Sequence, residues 1–85
     1  MIIMKIDYTF SDLQQEMEGM RVGRMSFSGA LKRSLGDKEA VQWYYRTKIP
    51  TLKNKTPHEY AKEREQKGRE KIASELYYLL TGQPD

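Results

Sequence analysis

The stretch Arg46-Thr47-Lys48-Ile49-Pro50-Thr51-Leu52-Lys53-Asn54-Lys55-Thr56-Pro57 decides how this chain folds. Pro50 turns Ile49 away from helical backbone, so the aromatic segment before it must end near Thr47. Ile49 and Leu52 are spaced to anchor an extended link on a core, and Lys53-Asn54-Lys55 has turn composition. Thr56-Pro57-His58-Glu59 then opens a helix. Thr56 suits the N-cap, Pro57 the first helical position, and Glu59 the third, where its carboxylate can reach back to the cap. Two helices joined by a short apolar link are therefore expected across residues 37–66.

Upstream of the link, Asp37 is a candidate cap for a helix carrying Ala40, Val41, Trp43, Tyr44 and Tyr45. On a helical wheel these span about 200°, wider than the roughly 100° that one buried face needs. Either the helix lies deep in the fold or part of its aromatic surface belongs to a partner. Downstream, the first arm of the Thr56 helix should carry Tyr60 and Ala61 inward and reach about Gln66, with Gly68 marking a break or bend or lying within one continuous helix over residues 57–81. Ile72, Ala73, Leu76, Leu79 and Leu80 then follow the spacing of a buried stripe. Gly82 offers the C-terminal cap and Pro84 forbids continuation. Tyr78 falls opposite that stripe and Tyr77 on its flank.

Toward the N-terminus, Ile2, Met4, Ile6, Tyr8 and Phe10 alternate with Ile3, Lys5, Asp7 and Thr9. Strict alternation over Met1–Phe10 is the period of a half-buried strand, which needs a pairing partner. Ser11 or Asp12 can cap a helix with Leu13, Met17 and Met20 on one face. Ser26 or Ser28 can cap another through Phe27, Ala30, Leu31 and Leu35, stopped by Gly36. The fold class is mainly α: a small helical domain with a short N-terminal β-strand, expected as a homodimer. Residues 1–34 form a strand–helix dimerisation or DNA-binding-like element, and residues 35–85 a helical binding domain.

Composition narrows the function. The chain has 85 residues, 38 % hydrophobic and 32 % charged, with no cysteine and a net charge of +3. A chain of this size buries roughly 60–65 % of the surface its unfolded form exposes, so association is a common source of extra stability. Disulfides and thiolate-bound zinc are excluded, and a Cys-free composition fits a cytoplasmic protein. The apolar N-terminus is too short, and too interrupted by Lys5 and Asp7, for a signal peptide or membrane span. Charges are interspersed, so neither half is a basic arm of the kind that binds nucleic acid through charge alone.

Catalytic motifs are missing. His58 is the single histidine, and a zinc site needs about four ligands. Glu63 and Glu65 alternate with Lys62, Arg64 and Lys67, as on a solvated helix face. No Gly-rich phosphate loop, Ser/His/Asp arrangement or HExxH motif is present. The chain reads as a non-enzyme using no cofactor and no metal.

Leu35-Gly36-Asp37, Glu39-Ala40, Trp43, Thr47, Pro50, Leu52, Thr56-Pro57, Glu59-Tyr60, Gly68, Ile72 and Leu76 occur in an order that resembles the toxin-binding domain of the Xre–MbcA–ParS antitoxin family. The resemblance covers Leu35 to Gly82. The family has a Gly-Gly pair where Lys53-Asn54 stands here, and its longer members add an upstream helix-turn-helix. The resemblance implies an antitoxin that binds and inhibits a toxin of the RES type, an enzyme that consumes NAD. It also implies that the final helix and tail face the toxin, which here means Arg69, Tyr77, Tyr78, Gln83, Pro84 and Asp85. Trp43, Pro50, Leu52, Thr56 and Pro57 are assigned to the scaffold. Residues 4–35 show a looser resemblance to ribbon-helix-helix DNA-binding regulators, with Lys5, Thr9, Arg24 and Ser26 toward DNA. A phage or mobile-element inhibitor of another host protein is a third alternative.

Overall fold

Tyr44 and Phe27, both without solvent exposure, meet edge to face at the centre of a four-helix fold, their ring centroids 6.2 Å apart. The structure is a computed structural model and describes residues 8–82. Helix α1 (Phe10–Glu16) leads through a small hairpin, β1 (Arg21–Val22) and β2 (Met25–Ser26), into α2 (Phe27–Leu35). Helix α3 (Asp37–Arg46) follows, then a 3-10 turn (Pro50–Leu52) and the long α4 (Pro57–Thr81). One cluster of buried side chains, from Leu13 to Leu76, draws on all four helices, so residues on both sides of position 35 share a single core. The mainly helical class is as expected.

Residues 1–7 of the expected N-terminal strand lie outside the described residues, but its last part is not a strand. Thr9 is the N-cap of α1: its N–H donates to Asp12 Oδ2 at 2.8 Å, and its hydroxyl accepts from the Asp12 N–H at 3.3 Å. This reciprocal box satisfies backbone groups locally, so capping outweighs the alternation of Tyr8 and Phe10. The cap is thus Thr9 rather than Ser11 or Asp12. Helix α1 ends with Met17 as its cap, and Leu13 and Met17 are buried. Strand pairing appears instead at 21–26, with Arg21 opposite Ser26 and Val22 opposite Met25. Gly23 takes φ +63° at the first of the two loop positions, as such tight hairpins require.

Ser26 caps α2 by accepting from the Gly29 N–H at 3.1 Å. Gly36, at φ +83°, ends α2 and serves as the N-cap of α3. Asp37 is therefore the first helical residue rather than the cap, and it pairs with Lys32 at 3.5 Å. Leu35, expected on the buried stripe of α2, is the helix's last residue and is 40 % exposed. Helix α3 packs against α1, α2 and α4. Its broad aromatic face is accounted for within the fold: Tyr44 and Tyr45 are buried, and Trp43 rests half-buried 6.3 Å from Phe27.

The link keeps its expected Leu52 anchor but is not extended, because Pro50–Leu52 wind into a 3-10 turn. Leu52 is fully buried, and Ile49 pairs with Lys55 in an isolated bridge. Lys53 and Asn54 both take left-handed backbone, at φ 60° and 59°. Lys53 adopts this disfavoured conformation because it closes the 3-10 turn through its N–H to the Pro50 carbonyl at 3.1 Å. Thr56 and Glu59 form the expected capping box on α4, with the Thr56 N–H donating to Glu59 Oε1 at 3.0 Å.

Helix α4 bends, but at Glu65 rather than at Gly68. Glu65 alone is non-helical, at φ 55° and ψ −128°. Gly68 instead permits a close approach, since a Cβ there would stand 2.7 Å from the Tyr60 carbonyl oxygen and 3.2 Å from the Ala61 Cα. The second arm therefore crosses the first at a distance only glycine tolerates. Beyond the crossing, Ile72, Ala73 and Leu76 enter the core. Leu79 and Leu80, expected on the same buried stripe, are 58 % and 43 % exposed. The helix outruns the surface it packs on before ending at Gly82, whose N–H reaches the Tyr78 carbonyl at 2.7 Å.

Candidate functional site

Two surfaces emerge, one polar and recessed, the other apolar and exposed. The recessed one is built around Glu16, in the last turn of α1. Tyr44 donates its hydroxyl to Glu16 Oε1 at 3.3 Å, and Tyr45 donates to Oε2 at 2.5 Å. His58 Nδ1, from the first turn of α4, lies 2.7 Å from Oε1. Tyr8 stacks flat on Tyr45, centroids 3.8 Å apart and planes 2° from parallel, and its hydroxyl stands 3.5 Å from His58 Nε2. Arg69, from the second arm of α4, donates through Nε to the Glu16 carbonyl at 3.2 Å. A cleft of about 500 Å³ opens beside this cluster, edged by Asp12, Gln15 and Lys62.

The electrostatics follow from burial. The phenols of Tyr44 and Tyr45 are held well above the ordinary tyrosine value, chiefly because burial disfavours the phenolate, and secondarily because Glu16 already places a negative charge and a hydrogen-bond acceptor beside them. They remain neutral donors. Both oxygens of Glu16 thereby accept hydrogen bonds from the chain's own side chains. The cluster ties α1, α3, both arms of α4 and Tyr8 together. Among the described residues, no group of three or more potential ligands could hold a metal ion.

The sequence signals for this cluster were indirect. Buried tyrosines need partners for their hydroxyls, which argues for an acceptor near Tyr44 and Tyr45. Nothing in the spacing of Glu16, 42 residues before His58, identifies it as that acceptor.

The second surface is the last turn of α4. Tyr78, Leu79 and Leu80 are exposed there at consecutive positions, and Tyr77 is half-buried against the core. Arg69 does not join them. It lies nine residues earlier, about 13 Å along the helix axis, turned toward Glu16 and also donating to Gln66 Oε1 at 3.2 Å. Gln83, Pro84 and Asp85 lie outside the described residues.

The residues assigned to DNA on the ribbon-helix-helix reading are dispersed in role. Lys5 lies outside the described residues, Thr9 caps α1, and Ser26 caps α2. Arg24 sits in the hairpin loop, where its carbonyl accepts from Arg21 Nη2 at 2.5 Å. Among the described residues no helix is long and apolar enough to cross a membrane. No protein-family model, curated protein or solved structure matches the chain.

Proposed function

We propose that this chain works by binding another protein, as an antitoxin-like inhibitor of a RES-type, NAD-consuming toxin, with the end of α4 as its contact surface. The observation that carries this reading is the run Tyr78, Leu79 and Leu80, 51 %, 58 % and 43 % exposed on the last helical turn. Clustered exposed apolar side chains lose free energy in water and gain it when a partner covers them. Aromatic residues are also enriched where interfaces concentrate their energy. The resemblance of the residues from Leu35 to Gly82, read in sequence order, is what favours an antitoxin over other binding proteins.

Co-expression with a RES-type toxin tests it. The intact chain should preserve cellular NAD and growth. A chain lacking residues 81–85, or carrying Tyr78→Ala with Leu79→Lys, should fold normally yet fail to protect. Full protection by these variants would place the contact elsewhere; no protection by the intact chain against such toxins would overturn the antitoxin reading itself.

A further inference from the structure

Glu65 holds φ 55° and ψ −128° inside α4, a backbone region that suits glycine and strains a residue with a Cβ. Gly68 marks a weak point three residues on, but the local sequence gives no reason for a corner at Glu65 itself. Ala61-Lys62-Glu63-Arg64-Glu65-Gln66-Lys67 is a run of strong helix formers. Packing imposes the bend. It folds the second arm, residues 66–81, back across the first, so that Ile72, Ala73 and Leu76 reach the core and Arg69 reaches the Glu16 carbonyl. Local preference and tertiary contacts therefore pull in opposite directions at one residue.

Every surface that receives the second arm also exists on another copy of the chain. Straightening at Glu65 would release the strain and withdraw the arm from its own core. Two straightened chains could then restore both cores by exchange, which makes an identical element the lowest-cost partner for each. We propose that Glu65 is an exchange hinge, through which this protein forms an arm-swapped homodimer. In that dimer residues 57–81 run as one straight helix, about 37 Å long at the usual rise. Each copy's Ile72, Ala73 and Leu76 fill the other's core. The occupant is a second copy because the arm's buried stripe is already complementary to this core.

The hinge contains two positions that act in opposite senses. Glycine at 65 relieves the strained corner and disfavours the straight helix. A Cβ at 68 collides with the Tyr60 carbonyl in the bent form, at 2.7 Å, and favours the straight helix. Light scattering across a concentration series reads the oligomeric state. Spin labels on cysteines at Thr51 and Glu70, with labelled chain diluted into unlabelled chain, read the distance within one chain. The wild-type chain should dimerise as concentration rises, with a longer Thr51–Glu70 distance in the dimer than in the monomer. Glu65→Gly should weaken dimerisation on the order of a hundredfold, and Gly68→Ala should strengthen it about tenfold or more. A wild-type chain that stays monomeric to millimolar concentration overturns the proposal. So does a dimer with an unchanged intrachain distance, or one indifferent to Glu65→Gly, whether or not Gly68→Ala folds.

Discussion

His58 Nδ1 lies 2.7 Å from Glu16 Oε1, so the first turn of α4 is fastened to the last turn of α1 across 42 residues of sequence. The imidazole side chain is 13 % exposed and the carboxylate 28 %, which makes this a largely desolvated contact. Two tyrosine hydroxyls converge on the same carboxylate. Removing the carboxylate therefore strands several donors at once. Glu16→Ala should destabilise the fold by about 2–4 kcal/mol, measured by urea unfolding. Glu16→Gln, which keeps one acceptor oxygen, should cost less. Equal and negligible losses for both would show that water replaces these bonds freely.

Tyr44 and Tyr45 make the protein sensitive to alkali. Burial first, then the neighbouring Glu16, raise both phenols above their ordinary value. A raised folded value means that the native state keeps protons the unfolded state loses. Stability is then fully present below about pH 10, the unfolded tyrosine value, and falls as pH rises beyond it. Tyrosinate absorbance from these two residues should appear together with loss of helical circular dichroism. Their ionisation with the helical signal intact would contradict the burial argument.

The cap of α4 should respond to acid. The Thr56 backbone N–H, and then its hydroxyl, hold the Glu59 carboxyl below its ordinary value. A depressed folded value means that the cap contributes above the ordinary carboxylate range and is lost as pH falls through the folded value. Glu59→Gln should remove this part of the acid dependence. Thr56→Ala, at a residue only 6 % exposed, should cost about 1 kcal/mol at neutral pH. Thermal melts of both variants across the acid range check the two effects separately.

Leu79 and Leu80 separate binding from folding. Both are exposed past Tyr77, which still packs against the core, so Leu79→Lys with Leu80→Lys should change stability by no more than about 0.5 kcal/mol. The same pair should abolish protection against a RES-type toxin in co-expressing cells. A double variant that protects fully would move the proposed contact off this turn.

How far the chain could be read depended on the range of the interactions involved. The Thr56–Glu59 box, the stop at Gly36 and the Gly82 cap use groups within a few residues of one another, and the sequence displays all of them. Over Tyr8–Phe10, the described end of the expected strand, helix capping prevails because the Thr9–Asp12 box claims the same backbone. Leu79 and Leu80 continue a perfect helical stripe, yet periodicity carries no information about where the opposing surface ends. The Glu16 cluster was out of reach for a related reason: its members come from three helices and the segment before α1, at no regular spacing.

What the sequence determined by itself is the set of helices, the place of the Pro50–Leu52 link and the Thr56 and Gly82 caps, since each follows from backbone restriction or a hydrogen bond between near neighbours. Only the tertiary structure decided the corner at Glu65. There the chain accepts a strained residue among good helix formers so that Gly68 can cross Tyr60 and Leu76 can reach the core. Core burial of the second arm outweighs the local preference of one residue, a balance that lies in the packing and not in the order of side chains.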